Sequence, residues 1–328
     1  MGEINKDMHL QDLANLPKPI PSRDGYGHGL LWLCEHNPNV LVMDADLAKS
    51  TRTNWVWEKF PDRFIDMGIA EQDMLGTAGG LSLVGKIPFV TTYGVFVSGR
   101  AWDQIRTSIC YGQLNVKMGG AHGGISVGPD GATHQSLEEI TLMRVLPCMT
   151  IIGGADWIEV KKATLWAAEH VGPVYLRFGR EAVPVITTEE TPFRVGKAEV
   201  FRTGKDVAVI ANGTMVYEAL KAAEELAKKG IDVRVINCHT IKPLDGETIL
   251  QAAEECGAIV TAEEHSRIGG LGGAVAEYLG EHHPTPMRLV GINDCFGESG
   301  TPEELMCAYG MSADNITDKI HEVLKMKK

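Results

Sequence analysis

The chain has 328 residues, 44% of them hydrophobic, with 37 glycines and a formal net charge of −12. That length exceeds one ordinary core and points to about two domains, and the composition is that of a globular α/β protein rather than a disordered or fibrous one. The acidic balance argues against a nucleic-acid or anionic-membrane partner, because both attract a basic face; a small phosphorylated ligand needs only a few placed cations and stays open.

The N-terminal stretch MGEINKDMHLQDLANLPKPIP carries acids and no apolar core, unlike a signal peptide. No run of the chain has the length and apolarity of a membrane span, so a cytoplasmic protein is expected. Seven cysteines, at 34, 110, 148, 238, 256, 295 and 307, are scattered without a C-x-x-C pair. They form neither a disulfide framework nor a zinc site, and reduced, mostly buried thiols are expected.

Short β-branched runs then alternate with helical patterns. NVLVMDAD (39–46) reads as a strand ending in acids, and EQDMLGTAGGLSLVG (71–85) as a helix whose glycines allow close packing. KIPFVTTY is a strand, VSGRAWDQIRTSICYG a helix, and VKMGGAHGG a strand entering a glycine-rich loop. PCMTIIGGAD and PVYLRFG are strands around the helix WIEVKKATLWAAEH. This alternation predicts a parallel sheet covered by helices. Near 184–198 the periodicity gives way to Thr, Glu and Pro, which marks a domain boundary. DVAVIANG, IDVRVINCHTIKPLD, GAIVTAEEH and PMRLVGIND are the strands of a second α/β unit, with TMVYEALKAAEELAKKG an amphipathic helix ended by glycine. The expected fold is α/β with two doubly wound domains, at 15–190 and 198–328.

Polar residues that could do chemistry gather before residue 181, in loops where parallel-sheet proteins bind ligands. They are Arg23 in PSRDG, Asp46 and Ser50 in MDADLAKS, Glu71 in GIAEQ, His122, Asp130 and His134 in AHGGISVGPDGATHQ, and Arg177 and Arg180 in LRFGR. Singly each has a plain explanation. Glu71 suits a helix N-terminus, Asp46 a turn or cap, a loop histidine a solvated surface, and GPDG a turn. Together, two histidines and an acid on one glycine-rich loop can carry protons near neutrality, and arginines suit a phosphate. A phosphorylated polyol fits this set better than a peptide or nucleic acid. No G-x-S-x-G elbow, Walker loop or G-x-G-x-x-G after a first strand occurs. GGLGGAVAEYL (269–279) is better explained by close helix packing than as a phosphate cradle.

Over nearly its whole length the chain resembles the C-terminal half of transketolase. The matching stretches are DADLAKS, DMGIAEQ, GPDGATHQS and LRFGR, with FGESGTPEELMCAYGMSADNI in the second domain. The resemblance implies a pyrimidine-binding domain followed by the family's C-terminal domain, with thiamine diphosphate as cofactor. It implies that Glu71 bonds the ring nitrogen of the aminopyrimidine and promotes its imino tautomer, in an apolar setting formed by Ile69, Ala70 and the small residues that follow. Phe96 resembles the aromatic that stacks on that ring, with Tyr93 lining the same pocket, and Asp46 the acid beside the cofactor. His134 resembles the histidine that assists proton transfer on substrate hydroxyls, Asp130 the acid that reads the α-hydroxyl, and Arg23, Ser50, His122 and Arg180 the phosphate-anchoring set.

The family's Mg²⁺-binding G-D-G motif does not occur here, and no metal ligand is assigned to this chain. This implies a separate N-terminal subunit that holds Mg²⁺ and diphosphate, most simply in an α2β2 assembly, with this chain alone inactive. Pentose phosphates are the default sugars, giving ketol transfer of the pentose phosphate pathway. Two features lean toward the deoxyxylulose-phosphate synthase pattern: Gly99 in VSGRAWDQ, where transketolases commonly have an aromatic, and Arg177. Other readings are therefore a split enzyme of that type, the beta subunit of a 2-oxo-acid dehydrogenase decarboxylase, and a noncatalytic homologue.

Overall fold

The computed structural model describes residues 2–327. The first sheet has seven strands in the order 240–242, 150–153, 174–177, 117–121, 87–93, 40–44, 64–66. All neighbours run parallel except Thr240–Lys242, which is antiparallel to Thr150–Gly153. The central strands are buried along nearly their full length, as parallel strands covered on both faces must be. One face packs Met74, Leu75 and Ala78 of the helix Glu71–Leu83 with Val97, Ile105, Ile109, Ile140 and Met143. The other packs the helices Ser22–His36 and Trp157–Glu169 through Tyr26, Leu30, Leu33, Val160, Ala163 and Ala167. These two helices touch backbone to backbone. A Cβ on Gly25 would lie 1.9 Å from the Trp157 carbonyl oxygen, so any side chain there would separate them.

The second sheet has five strands in the order 287–292, 259–266, 207–211, 233–237, 199–202. Its first four are parallel and Glu199–Arg202 closes the edge antiparallel. The helices Met215–Ala227 and Ala313–Leu324 cover one face, and Gly246–Cys256 and Leu271–His282 the other. The second unit is therefore doubly wound as well. In the glycine-rich stretch at 269–279, Glu263 already occupies the helix N-terminus, accepting from the N–H groups of Leu271 and Gly272 at 2.7 and 2.8 Å. Gly272 there would put a Cβ 2.6 Å from Leu289, which is close packing rather than a cradle.

Two local expectations change. The segment 231–245 is two strands: Val233–Asn237 stays in the second sheet, and Thr240–Lys242 crosses to the edge of the first. The crossing is held by Asn212, whose amide donates to the carbonyls of Gly153 and Cys238 at 3.0 and 2.8 Å. The helix over 97–112 begins earlier and is interrupted, as Gly94–Arg100, Trp102–Gln104 and a π-helical turn Ile105–Cys110. The cysteines are as expected, all seven free and most of them buried, with Cys148, Cys295 and Cys307 exposed. Among the described residues no helix is long and apolar enough to cross a membrane.

Asp156, fully buried, fastens the end of the first unit. It caps the helix Trp157–Glu169 at Ile158 and Glu159, and accepts from the N–H groups of Ile186 and Thr187 at 2.8 and 2.7 Å. Removing one acceptor from several buried donors leaves them all unsatisfied. Asp156→Ala is expected to cost about 3 kcal/mol or more in denaturant unfolding, with Asp156→Asn costing less.

Candidate active site

Parallel pairing brings the C-terminal ends of the strands 40–44, 87–93 and 117–121 to one edge of the first sheet. The segments that follow those ends carry most of the candidate residues. Val40–Asp44 runs into Asp46, in the left-handed region at φ 62°, and on to Ser50. Asp44 itself is buried and structural, accepting from the Leu47 N–H at 2.6 Å and from the hydroxyls of Thr51 and Thr53 at 2.8 Å. Burial pushes its carboxyl up to about 6, against those hydrogen bonds.

Glu71 opens its helix and is only 2% exposed. The apolar setting expected from Ile69 is not what the carboxylate meets, since Ile69 is 74% exposed. Arg100 Nη1 sits between the two carboxylate oxygens at 2.8 and 2.9 Å, and the same guanidinium lies 4.3 Å from the centre of the Phe96 ring. Gln72 steadies the arginine by donating to its carbonyl at 3.0 Å. A bidentate-capable cation with an aromatic face under it is a strong local arrangement. Sequence reasoning gives Arg100 no role. A signal is nevertheless present, since Phe96 and Arg100 stand four apart on one helix.

Phe96 and Tyr93 form an aromatic floor with centroids 5.8 Å apart and nearly parallel rings. His122 lies against Tyr93 at 4.0 Å. His134 meets Tyr93 at 5.8 Å and Phe96 at 5.4 Å, both edge-on. The His134 Nδ1 is 2.8 Å from the Thr133 hydroxyl. His122 is buried, sits in the left-handed region at φ 58°, and its Nδ1 has no hydrogen-bond partner. An unpaired buried ring nitrogen is costly unless a ligand meets it. Burial, and then the charges of Arg23, Arg180, His134 and Arg52, push the His122 imidazolium down to about 3.

Arg23 stands in the first turn of the helix Ser22–His36, donates to the Ser50 carbonyl at 2.8 Å and has a buried, unpartnered Nε. Ser50 thus enters through its backbone oxygen. Burial, with Arg52 nearby, lowers the Arg23 pKa. Arg180 pairs with Asp130 at 3.0 Å, and Arg52 with Asp24 at 2.6 Å. Three arginines thus gather near His122, with Arg52 and Arg180 already paired to carboxylates. Arg177 is turned elsewhere: it is buried and donates to Glu139 at 2.5 Å and to the Glu264 carbonyl at 2.6 Å. Asp46 shares the sheet edge, but its hydrogen bond there is a backbone donation to Asp66 at 3.2 Å, and no contact joins it to the aromatic cluster.

Comparison with known proteins identifies the architecture. Residues 18–185 match the model of the transketolase pyrimidine-binding domain and 196–316 that of the transketolase C-terminal domain. The chain belongs to the transketolase family. It has the two domains found in the C-terminal subunits of split transketolases. It is 43% identical to the 6-deoxy-6-sulfo-D-fructose transketolase subunit of Clostridium sp. (strain MSTE9), covering 93% of this chain and 95% of that one. It is 38% identical to an apulose-4-phosphate transketolase subunit of Phocaeicola vulgatus, covering 93% and 98%. A solved structure described as a split gene transketolase, inactive beta4 tetramer, superposes with a TM-score of 0.88 at 47% identity, covering 94% of this chain and all of that one.

Transketolase-family membership implies thiamine diphosphate. The residues present fit one end of it: a buried carboxylate beside a partly exposed aromatic ring suits an aminopyrimidine. Among the described residues no group of three or more His, Cys, Asp or Glu could hold a metal ion.

The depressed His122 pKa has a consequence for stability. Between its ordinary value of 6.5 and about 3 the unfolded chain binds the proton and the folded chain does not. His122 therefore leaves stability unaffected above 6.5 and lowers it as pH falls, by up to about 1.4 kcal/mol per pH unit. Nitrogen-15 NMR is expected to show His122 neutral at pH 5. His122→Phe should flatten the acid limb of the stability curve.

Proposed function

We propose that this chain is the C-terminal subunit of a two-subunit transketolase. The enzyme would move a two-carbon ketol unit from a ketose bearing an anionic end to an aldose phosphate. The observation that carries this is the single cluster joining Glu71, Arg100, Phe96, Tyr93, His122 and His134, ringed by Arg23, Arg52 and Arg180.

Thiamine diphosphate, when bound, supplies the electron sink that such a transfer needs. Glu71 holds the proton at the pyrimidine ring nitrogen; one Arg100 nitrogen between its oxygens leaves lone pairs for that bond. Phe96 and Tyr93 would offer the aromatic surface, and Asp46, at the same sheet edge, would supply a further acid for the cofactor. His134 moves a proton on a substrate hydroxyl. His122 remains neutral at working pH and can meet a sugar hydroxyl through its unpartnered Nδ1. Asp130 reads the α-hydroxyl. Arg23, steadied by the Ser50 carbonyl, and Arg180 hold the anionic end, for which a phosphate is the default and a sulfonate the alternative suggested by one relative.

No diphosphate or Mg²⁺ cradle is assigned to this chain. The proposal therefore includes a separate N-terminal subunit that ligates Mg²⁺ and diphosphate, in an α2β2 assembly. Calorimetric titration of thiamine diphosphate with Mg²⁺ is expected to show tight binding only when that subunit is present. Tight binding or turnover by this chain alone would refute the shared site. In the reconstituted complex, Glu71→Ala is expected to lower kcat by about a hundredfold or more with assembly intact; near-normal turnover would remove Glu71 from its role. A donor panel matched except for a phosphate or sulfonate terminus reads the anion preference.

A further inference from the structure

The glycine-rich loop between His122 and His134 carries Asp130 and has only the turn Ile125–Asp130 as regular structure. The first domain holds its root: the N–H of Gly123 donates to the Phe178 carbonyl at 3.2 Å, and that of Gly124 to the Ser136 carbonyl at 2.9 Å. Beyond Gly124 the first domain still reaches the loop through Arg180, which donates to the Val127 carbonyl and to Asp130 at 3.4 and 3.0 Å, and the second domain adds its own contacts. Glu264, at the C-terminal end of the strand Ile259–Ser266, accepts the Ser126 N–H through Oε1 at 2.7 Å. Its Oε2 accepts the Thr214 hydroxyl at 3.2 Å. At the far side of the loop, Gln135 donates to the Glu298 carbonyl at 2.9 Å.

The glycines record how closely the two domains meet here. A Cβ on Gly124 would lie 2.2 Å from Glu264 Oε1, and one on Gly131 2.6 Å from the Ser299 hydroxyl. A Cβ on Gly297 would lie 1.9 Å from Gln135 Oε1. Gly124 and Gly131 also have φ of 98° and 75°, where a side chain is strained in any case.

Glu264 is buried, and burial raises its carboxyl pKa against the opposing effects of Arg177, Ser126 and Thr214. A buried carboxylate is a poor way to gain stability, yet this one spans the domains to reach a loop N–H. We propose that Glu264 is a positioning residue, the brace by which the second domain fixes the 123–131 loop and so the relative placement of His122, Asp130 and His134. The catalytic consequence rests on the proposed ketol transfer; the brace itself does not.

Hydrogen–deuterium exchange on the isolated chain tests the brace without cofactor or partner. Glu264→Ala is expected to speed exchange in peptides from 122–135 by about tenfold, the loss of one buried hydrogen bond, while the strands of both sheets keep their protection. Glu264→Gln should restore the slow exchange, because its amide oxygen accepts from Ser126 and its amide nitrogen donates to Thr214. If Glu264→Ala is too unstable to purify, Thr214→Val removes one donor to the carboxylate and should loosen the same peptides by less. Unchanged loop exchange, or acceleration spread evenly over both domains, would overturn the proposal. In the reconstituted complex, Glu264→Ala should raise the donor KM and lower kcat, with Glu264→Gln close to the parent. An exchange pattern as expected in a complex that performs no ketol transfer would leave the brace standing and remove the proposed reaction.

Discussion

Parallel pairing is the constraint from which the rest of this molecule follows. Because the strands 40–44, 64–66, 87–93 and 117–121 run in one direction and in register, their C-terminal ends emerge together. Each chain segment leaving that edge must turn before its helix can return across a face of the sheet. Glu71 opens one of those returning helices, Tyr93 ends a strand and Phe96 sits in the turn of helix after it. His122 leaves the neighbouring strand. Residues as far apart as Glu71 and His122 are thereby brought to one place, where Glu71 then pairs with Arg100.

The two faces of the sheet are covered by different kinds of contact. Against one face, helices meet through branched and sulfur-containing side chains such as Ile105, Ile109, Met74 and Met143. On the other, glycines let two helices touch along their backbones. Neither arrangement tolerates an added side chain, so the sheet edge is held by a rigid frame. The second domain adds rigidity from outside, through Thr240–Lys242 at the sheet edge and through Asn212, Arg177 and Glu264 at the boundary between the sheets.

Electrostatics set the site apart from its surroundings. The chain is acidic overall, yet His122 lies within reach of the charges of Arg23, Arg52 and Arg180. Burial, and after it the charges of Arg23 and Arg180, keep a proton off His122. Glu71 is balanced by Arg100 rather than stranded in an apolar pocket. An ion pair with an aromatic face beneath it holds both Glu71 and Phe96 in place, one by charge and the other by stacking.

Much of this was legible in the sequence. The alternation of β-branched runs and amphipathic helices determines a doubly wound fold, because a strand apolar on both faces must be covered twice. The loop from His122 to His134 announces a polar site. Only the tertiary structure decided which charges meet. Nothing in the spacing of Arg100 and Glu71, twenty-nine positions apart, requires their pairing. Arg177 and Arg180 lie in one pentapeptide, yet burial at the domain boundary turns the first to Glu139 and leaves the second to Asp130. The split of 231–245 into strands of two different sheets was equally hidden. Local patterns record how much of each residue is covered; the identity of the covering group depends on where distant segments finally pack.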